Sequence, residues 1–214
     1  MNNGVIVVFE VIVLIFVVII HEVSHGAMAY RLGDNTAKKM GRLTLNPLKH
    51  LDPFGSILFP LMLILAGSNF VLGWAKPVIF NPLNFKNMKR DTALVALAGP
   101  VSTVVLAAVF AIFIRILAPF INFGIIGPSL IVFLNIIVLM SILLAVFNLI
   151  PIPPLDGSRV LFMLLPDRYL ALERKLETWG SFILLLFLFG GGFLIIGPIA
   201  EIIYRFLVGP WAIL

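Results

Sequence analysis

Apolar residues along this chain fall into long runs broken by short polar stretches, and the runs are long enough to read as membrane spans. The first extends from Gly4 to about Tyr30 and closes on Arg31-Leu32-Gly33, a basic last turn followed by glycine that suits a helix C-terminus. It has no basic leader and no small-residue cleavage site, so it reads as a retained transmembrane helix. Three further runs, about 92–119, 129–150 and 179–207, read as full spans. A fifth, Pro53 to Gly73, is broken by Pro60, Gly67, Ser68 and Asn69, and it either crosses or dips into the membrane and returns. The proline-interrupted stretch from Trp74 to Pro82 is a candidate short β-hairpin. The fold class predicted is an all-α polytopic membrane protein of about four transmembrane helices, a re-entrant segment and that candidate hairpin.

Composition agrees with this picture. Of 214 residues, 61% are hydrophobic and only 12% charged, a balance that cannot be wrapped into a water-soluble globule. A single membrane domain over 1–214 is expected, because several spans leave no room for a soluble domain of ordinary size. The net charge of +5 does not indicate a nucleic-acid partner, because the Lys and Arg residues are scattered over the loops instead of forming one basic face. They read as orientation signals and contacts with the lipid bilayer. Lys38, Lys39, Arg42 and Lys49 in the first loop, and Lys76, Lys86, Lys89 and Arg90 in the second, both favour the cytoplasm. Both can be satisfied only if 53–73 is re-entrant. The N-terminus then lies outside, and the protein is a multi-pass protein of the plasma (cytoplasmic) membrane. No cysteine is present, so any metal must be held by His, Asp, Glu or Asn.

Inside the first span stands His21-Glu22-Val23-Ser24-His25, the H-E-x-x-H pattern. On a helix, residues four apart are separated by about 400°, so both imidazoles leave one face and can share one metal ion. Glu22 lies one residue along, where it can take a proton from metal-bound water. Ionisable groups in a membrane helix are costly and tend to be functional. The bland alternative is that they mark the helix end at the interface and touch headgroups. A catalytic zinc usually takes three protein ligands, and the other segment with suitable ingredients is Asn148 to Gly157, whose prolines fix an extended turn before Asp156. Asp156 is the candidate third ligand, and it equally suits the N-cap of a helix beginning at Gly157. Its depth requires the 129–150 span to end on the same side as the histidines, which again requires that 53–73 does not cross.

H-E-x-x-H in a membrane helix together with Asn148, Pro154, Leu155, Asp156 and Gly157 resembles the site-2 protease family of intramembrane zinc metalloproteases. The likeness extends through Gly41-Arg42-Leu43-Thr44-Leu45-Asn46-Pro47, His50-Leu51-Asp52-Pro53-Phe54-Gly55 and Ala98-Gly99-Pro100, in a minimal form without a PDZ or nucleotide-binding domain. The resemblance implies a three-helix core and one zinc held by His21, His25 and Asp156; with the first helix running from outside to inside, that site is expected towards the cytoplasmic half. The resemblance also implies Glu22 as base and transmembrane segments of other proteins as substrates. By its place in the motif Asn148 should contact the substrate backbone or the developing oxyanion, with a polar bond across helices as the alternative. Where many relatives carry Asn three residues after Gly-Pro, this chain has Thr103. Two readings of other classes stand beside this one: a membrane transporter or metal carrier, and a catalytically silent adaptor that binds transmembrane segments. The sequence leaves the oligomeric state open.

Glu10, eleven residues before His21, falls within about 20° of the same helical face and is expected to pair with Arg115. His50 and Asp52 read as interfacial loop residues. Trp74, Trp179 and Trp211 read as interfacial anchors, and Gly190 to Gly192 as a close contact or a kink.

Overall fold

Helices and the turns between them make up the described part of the chain, which in this computed structural model is residues 3–58, 61–62, 65, 76–123 and 127–211. Helix α1 spans Asn3–Arg31. It ends in a Schellman motif: the Asp34 amide donates to the Ala29 carbonyl at 2.9 Å and the Gly33 amide to Tyr30 at 3.2 Å. Gly33 sits at φ 107°, a conformation that glycine reaches without a Cβ clash. A single turn, α2, covers Thr36–Lys39. Helix α3, Met88–Leu117, starts four residues before the predicted position because Asn87 caps it. The Asn87 side chain accepts from the Arg90 amide at 3.0 Å, and Asp91 accepts from the Asn87 amide at 3.0 Å. Helix α4 covers Pro128–Asn148, α5 Asp156–Leu164, α6 Leu170–Phe187 and α7 Phe193–Val208.

Among the described residues, four helical stretches, 4–31, 88–120, 128–148 and 167–208, are long and apolar enough to cross a membrane. Their outer faces are apolar as well, with Val8, Ile12 and Phe16 on α1, Val105, Ile112 and Ile116 on α3, and Leu194, Ile202 and Phe206 on α7 all exposed. Lipid is the solvent that suits such a surface. The last stretch differs from the single span predicted over 179–207. Its α-helix begins at Leu170, after a 3-10 turn over Asp167–Tyr169, and breaks at Gly190–Gly192, where Gly191 adopts φ 98°. A Cβ on Gly192 would lie 2.5 Å from the Phe187 ring, so the triple glycine turns the chain where a side chain would not fit.

Helix α3 is central and touches α1, α4, α5 and α7. Its small residues Ala107 and Ala111 let α4 and α7 approach closely, and they bury Val138, Ile142, Ala200 and Tyr204 against them. At the opposite end Ala29, Val95 and Phe85 form a second cluster that brings the end of α1 beside the start of α3. Lys89, at the start of α3, donates to the Leu165 carbonyl at 2.7 Å and to Asp167 at 2.9 Å, which ties the end of α5 to the same side.

The segment predicted as re-entrant, 53–73, lies largely outside the described residues; Pro53–Leu58 forms a wide helical turn, and residues 61–62 and 65 are helical. Its flanks meet, because the Lys76 amide donates to the His50 carbonyl at 2.8 Å. Of the candidate hairpin, Trp74 and Ala75 are not described. Residues 76–81 are non-helical and carry no strand pairing, and no strand occurs among the described residues. The expected Glu10–Arg115 ion pair is absent from the described residues. Arg115 instead donates to the Phe206 carbonyl at 2.7 Å, since its position near the end of α3 lies beside the end of α7. Trp179 is exposed, as an anchor would be; Trp74 and the side chain of Trp211 lie outside the described residues.

Candidate metal centre

One turn apart on α1, His21 and His25 both turn inward and are buried among α3 and α5. Their Nε2 atoms converge on one oxygen: Asp156 Oδ2 lies 3.1 Å from His21 and 3.2 Å from His25. The chain after α4 must double back sharply for Asp156 to arrive there. Gly157 makes this possible, since a Cβ at that residue would lie 2.2 Å from the Leu149 carbonyl oxygen and 2.6 Å from that of Ile150. The predicted N-cap role for Asp156 is not taken up. Helix α5 begins with Asp156 itself, Leu155 occupies the cap position, and no side chain caps the helix, because the carboxylate is turned to the imidazoles.

The environment of the imidazoles selects their free nitrogens. His25 Nδ1 donates to the Val95 carbonyl at 2.7 Å, which leaves Nε2 with its lone pair directed at the centre. His21 Nδ1 is buried without a hydrogen-bond partner. Gly99 on α3 underlies both rings: a Cβ there would lie 2.5 Å from His25 Cε1 and Nε2 and 2.6 Å from His21 Cε1. Only glycine allows α3 to approach the rings this closely. Glu22 is brought to the same place, with ligand atoms of His21, Glu22 and His25 all within 4.8 Å of one another. Its Oε2 accepts from the Val78 amide at 2.7 Å, so the carboxylate is oriented by a backbone donor across the cleft.

This donor set fits zinc. Two imidazole nitrogens and a carboxylate oxygen are usual zinc ligands, and ligands about 2.0–2.2 Å from a tetrahedral ion lie about 3.3 Å apart. The two nitrogen to oxygen separations here, 3.1 and 3.2 Å, are of that size. Asn148 stands at the end of α4, and its Nδ2 donates to the Leu144 carbonyl of its own helix at 3.0 Å; a bond from it across helices is not seen among the described residues. Thr103 likewise bonds within its helix, to Pro100 at 3.0 Å. His50 is buried, with Nε2 donating to Thr44 at 2.8 Å, and Asp52 accepts from the Gly55 amide at 2.7 Å, so both serve the loop.

Sequence reasoning missed the Val95 carbonyl and the Val78 amide, because a backbone group has no signature in side-chain identity. It also gave Gly99 no role, although a glycine facing two buried imidazoles could have been found from helical spacing once α1 and α3 were paired. Arg159, one turn beyond Asp156 on α5, was missed too, and its guanidinium lies 5.5 Å from the centre of the Phe80 ring.

Two histidines, an aspartate and an adjacent glutamate converge on helices of membrane-spanning length, a set of donor types that can hold a zinc ion. Comparison with known proteins agrees. The model of peptidase family M50 matches residues 124–191, which include Asn148 and Asp156. A Bacillus subtilis protein named "Putative zinc metalloprotease YwhC" is 41% identical over 189 residues, covering 85% of this chain and 80% of that protein. Proteins named "Putative zinc metalloprotease Rip2" from Mycolicibacterium smegmatis and Mycobacterium tuberculosis are 31% and 32% identical over 79% of this chain, which spans 62% of their length. No solved structure matches. The chain belongs to peptidase family M50, the site-2 protease family of zinc metalloproteases.

Proposed function

We propose that this chain is an intramembrane zinc endopeptidase that binds one zinc ion and hydrolyses peptide bonds within or next to transmembrane segments of other membrane proteins. The observation that carries this reading is the convergence of His21 and His25 Nε2 on Asp156 Oδ2, with Glu22 alongside, inside helices of spanning length. His21, His25 and Asp156 hold the metal. Bound zinc supplies Lewis acidity for the scissile carbonyl and lowers the pKa of the attacking water. Glu22 accepts the proton from that water and passes it to the leaving amine nitrogen, so one water is consumed and no proton is left over. The Asn148 amide, at the end of α4, contacts the substrate backbone or the developing oxyanion. A substrate helix must be unwound locally, because its carbonyls are otherwise satisfied within the helix.

The orientation that fits has the N-terminus outside and the site towards the cytoplasmic half of the plasma membrane. The two basic loops support this, as does the His50–Lys76 bond, which joins the flanks of 53–73 as a re-entrant segment requires. Transport and silent-adaptor roles gain no support from the family membership.

Elemental analysis of the purified protein tests the centre without knowledge of the substrate. The expected result is about one zinc per chain in wild type and in Glu22→Gln, with loss in Asp156→Ala. Wild type without metal, or zinc content indifferent to Asp156, would rule the site out as drawn. Cleavage of a reporter with one apolar span, abolished in Glu22→Gln, tests the reaction.

A further inference from the structure

A strap, Lys76 to Asn84, extended to Asn81 and closing in a short 3-10 turn over Pro82–Asn84, runs beside Glu22 and is held at several points along its length. The Lys76 amide is bound by the His50 carbonyl at 2.8 Å, the Val78 amide by Glu22 at 2.7 Å and the Asn81 amide by Asp34 Oδ2 at 2.9 Å. The Asn84 side chain donates to Asp34 Oδ1 at 2.6 Å, and Arg159 stacks over Phe80 from the helix that carries Asp156. The strap thus hangs between two carboxylates of one helix and its cap. Glu22 is in α1, and Asp34 is the residue placed by the Schellman motif that ends it.

Asp34 is fully buried, and all its partners are neutral donors: the Thr36 amide and hydroxyl, the Asn81 amide and the Asn84 side chain. A buried carboxylate that gathers four donors from two separate segments fixes their relative position firmly, because each bond is charge-assisted. Burial pushes its carboxyl up, yet the hydrogen bonds from Thr36, Asn84 and Asn81 outweigh burial and hold it below the usual carboxylate range. Only two residues lie between Val78 and Asn81, so the anchor at Asp34 sets where the Val78 amide stands. That amide in turn occupies one oxygen of Glu22 and leaves the other for water.

We infer that Asp34 is a positioning residue for catalysis: it anchors the strap whose Val78 amide orients Glu22. The inference rests on Glu22 as the general base. Loss of the anchor frees the strap, and Glu22 then samples rotamers in which its free oxygen no longer faces the water. Displacement by about 1 Å can cost about a hundredfold in rate.

Hydrogen exchange resolved at Val78 in the purified full-length protein provides the test, together with zinc content and with kcat and KM on a reporter carrying one apolar span. In Asp34→Ala, exchange at Val78 and Asn81 should rise about tenfold or more, zinc should stay at about one per chain, and kcat should fall by about 10–100-fold with little change in KM. In Val78→Pro, which removes the donor, the same loss of kcat is expected while Asn81 stays protected. Where Asp34→Ala fails to fold, Asn84→Ala removes one anchor bond and should shift Val78 exchange and kcat in the same direction by less. The inference is overturned if Val78 remains protected without the anchor, or if exchange rises and kcat does not fall. A wild-type protein without zinc or cleavage would instead remove the protease reading, and Val78 exchange would still decide whether Asp34 holds the strap.

Discussion

The two ends of α3 are held by different forces. At one end Val95 and Gly99 face the imidazoles of α1, Asp91 and Asn87 cap the helix, and Lys89 binds the end of α5, so directed polar bonds fix positions. At the other, Ala107, Ala111, Ile114 and Ala118 meet Ile131, Val138, Ile142, Ala200 and Val208, and the polar contacts between helices are sparser, Tyr204 to Asn135 and Arg115 to the Phe206 carbonyl. In lipid no hydrophobic force drives helices together, so the far end is held by close fit of small residues. The site end adds bonds that are worth more in position than in stability. Substitutions there should cost function before folding, and at the far end the reverse.

The sharpest break of this contrast comes from the ligands. His25→Ala should strip the zinc and abolish cleavage while the far end stays folded by far-ultraviolet circular dichroism. Glu22→Gln should keep the zinc and lower cleavage by about 10²–10⁴-fold, the range for removal of a general base. Next in size is Gly99→Ala, whose new methyl would stand 2.5 Å from His25 Nε2. Zinc affinity, read by chelator competition, should fall by about 10–100-fold, as for other disturbances of ligand orientation. Unchanged affinity would mean that α3 does not press on the rings.

At the far end, Tyr204→Phe deletes the hydroxyl that donates to Asn135. Thermal denaturation should show a loss of about 1 kcal/mol, the scale of a hydrogen bond between membrane helices. Cleavage should not change. The smallest effect expected is on pH. Because hydrogen bonds hold the folded Asp34 carboxyl below its unfolded value of about 3.9, its stabilisation is complete above that value and is lost as pH falls through the folded pKa. Strap exchange, corrected for intrinsic rates, should therefore be level from about pH 7 to 5 and rise below about pH 4. In Asp34→Asn that acid step should be missing.

Much of this was legible in order along the chain. The spans at 4–30, 92–119 and 129–150 follow from unbroken apolar length, and Gly33 marked the end of α1 because few other residues accept its backbone conformation. The helix that carries the last span starts earlier than the apolar run, since Leu170 to Glu177 alternates charge with leucine and looks like a loop flank until it is seen as helix. Arg115 was paired with Glu10 on charge alone, whereas the nearest acceptor was a backbone carbonyl at the end of α7.

The sequence by itself determined that the chain lives in a membrane, where its spans lie, and that His21, Glu22 and His25 share a helix face, because these depend on composition and on spacing within one helix. Only the tertiary structure turned Asp156 to the imidazoles and away from a capping role, gave Gly99 its place beneath the rings, and joined Val78 to Glu22 and Asp34 to the strap. Those contacts join segments from about 40 to 140 residues apart, and several run through backbone amides and carbonyls that every residue shares. No local pattern of side chains could have specified them.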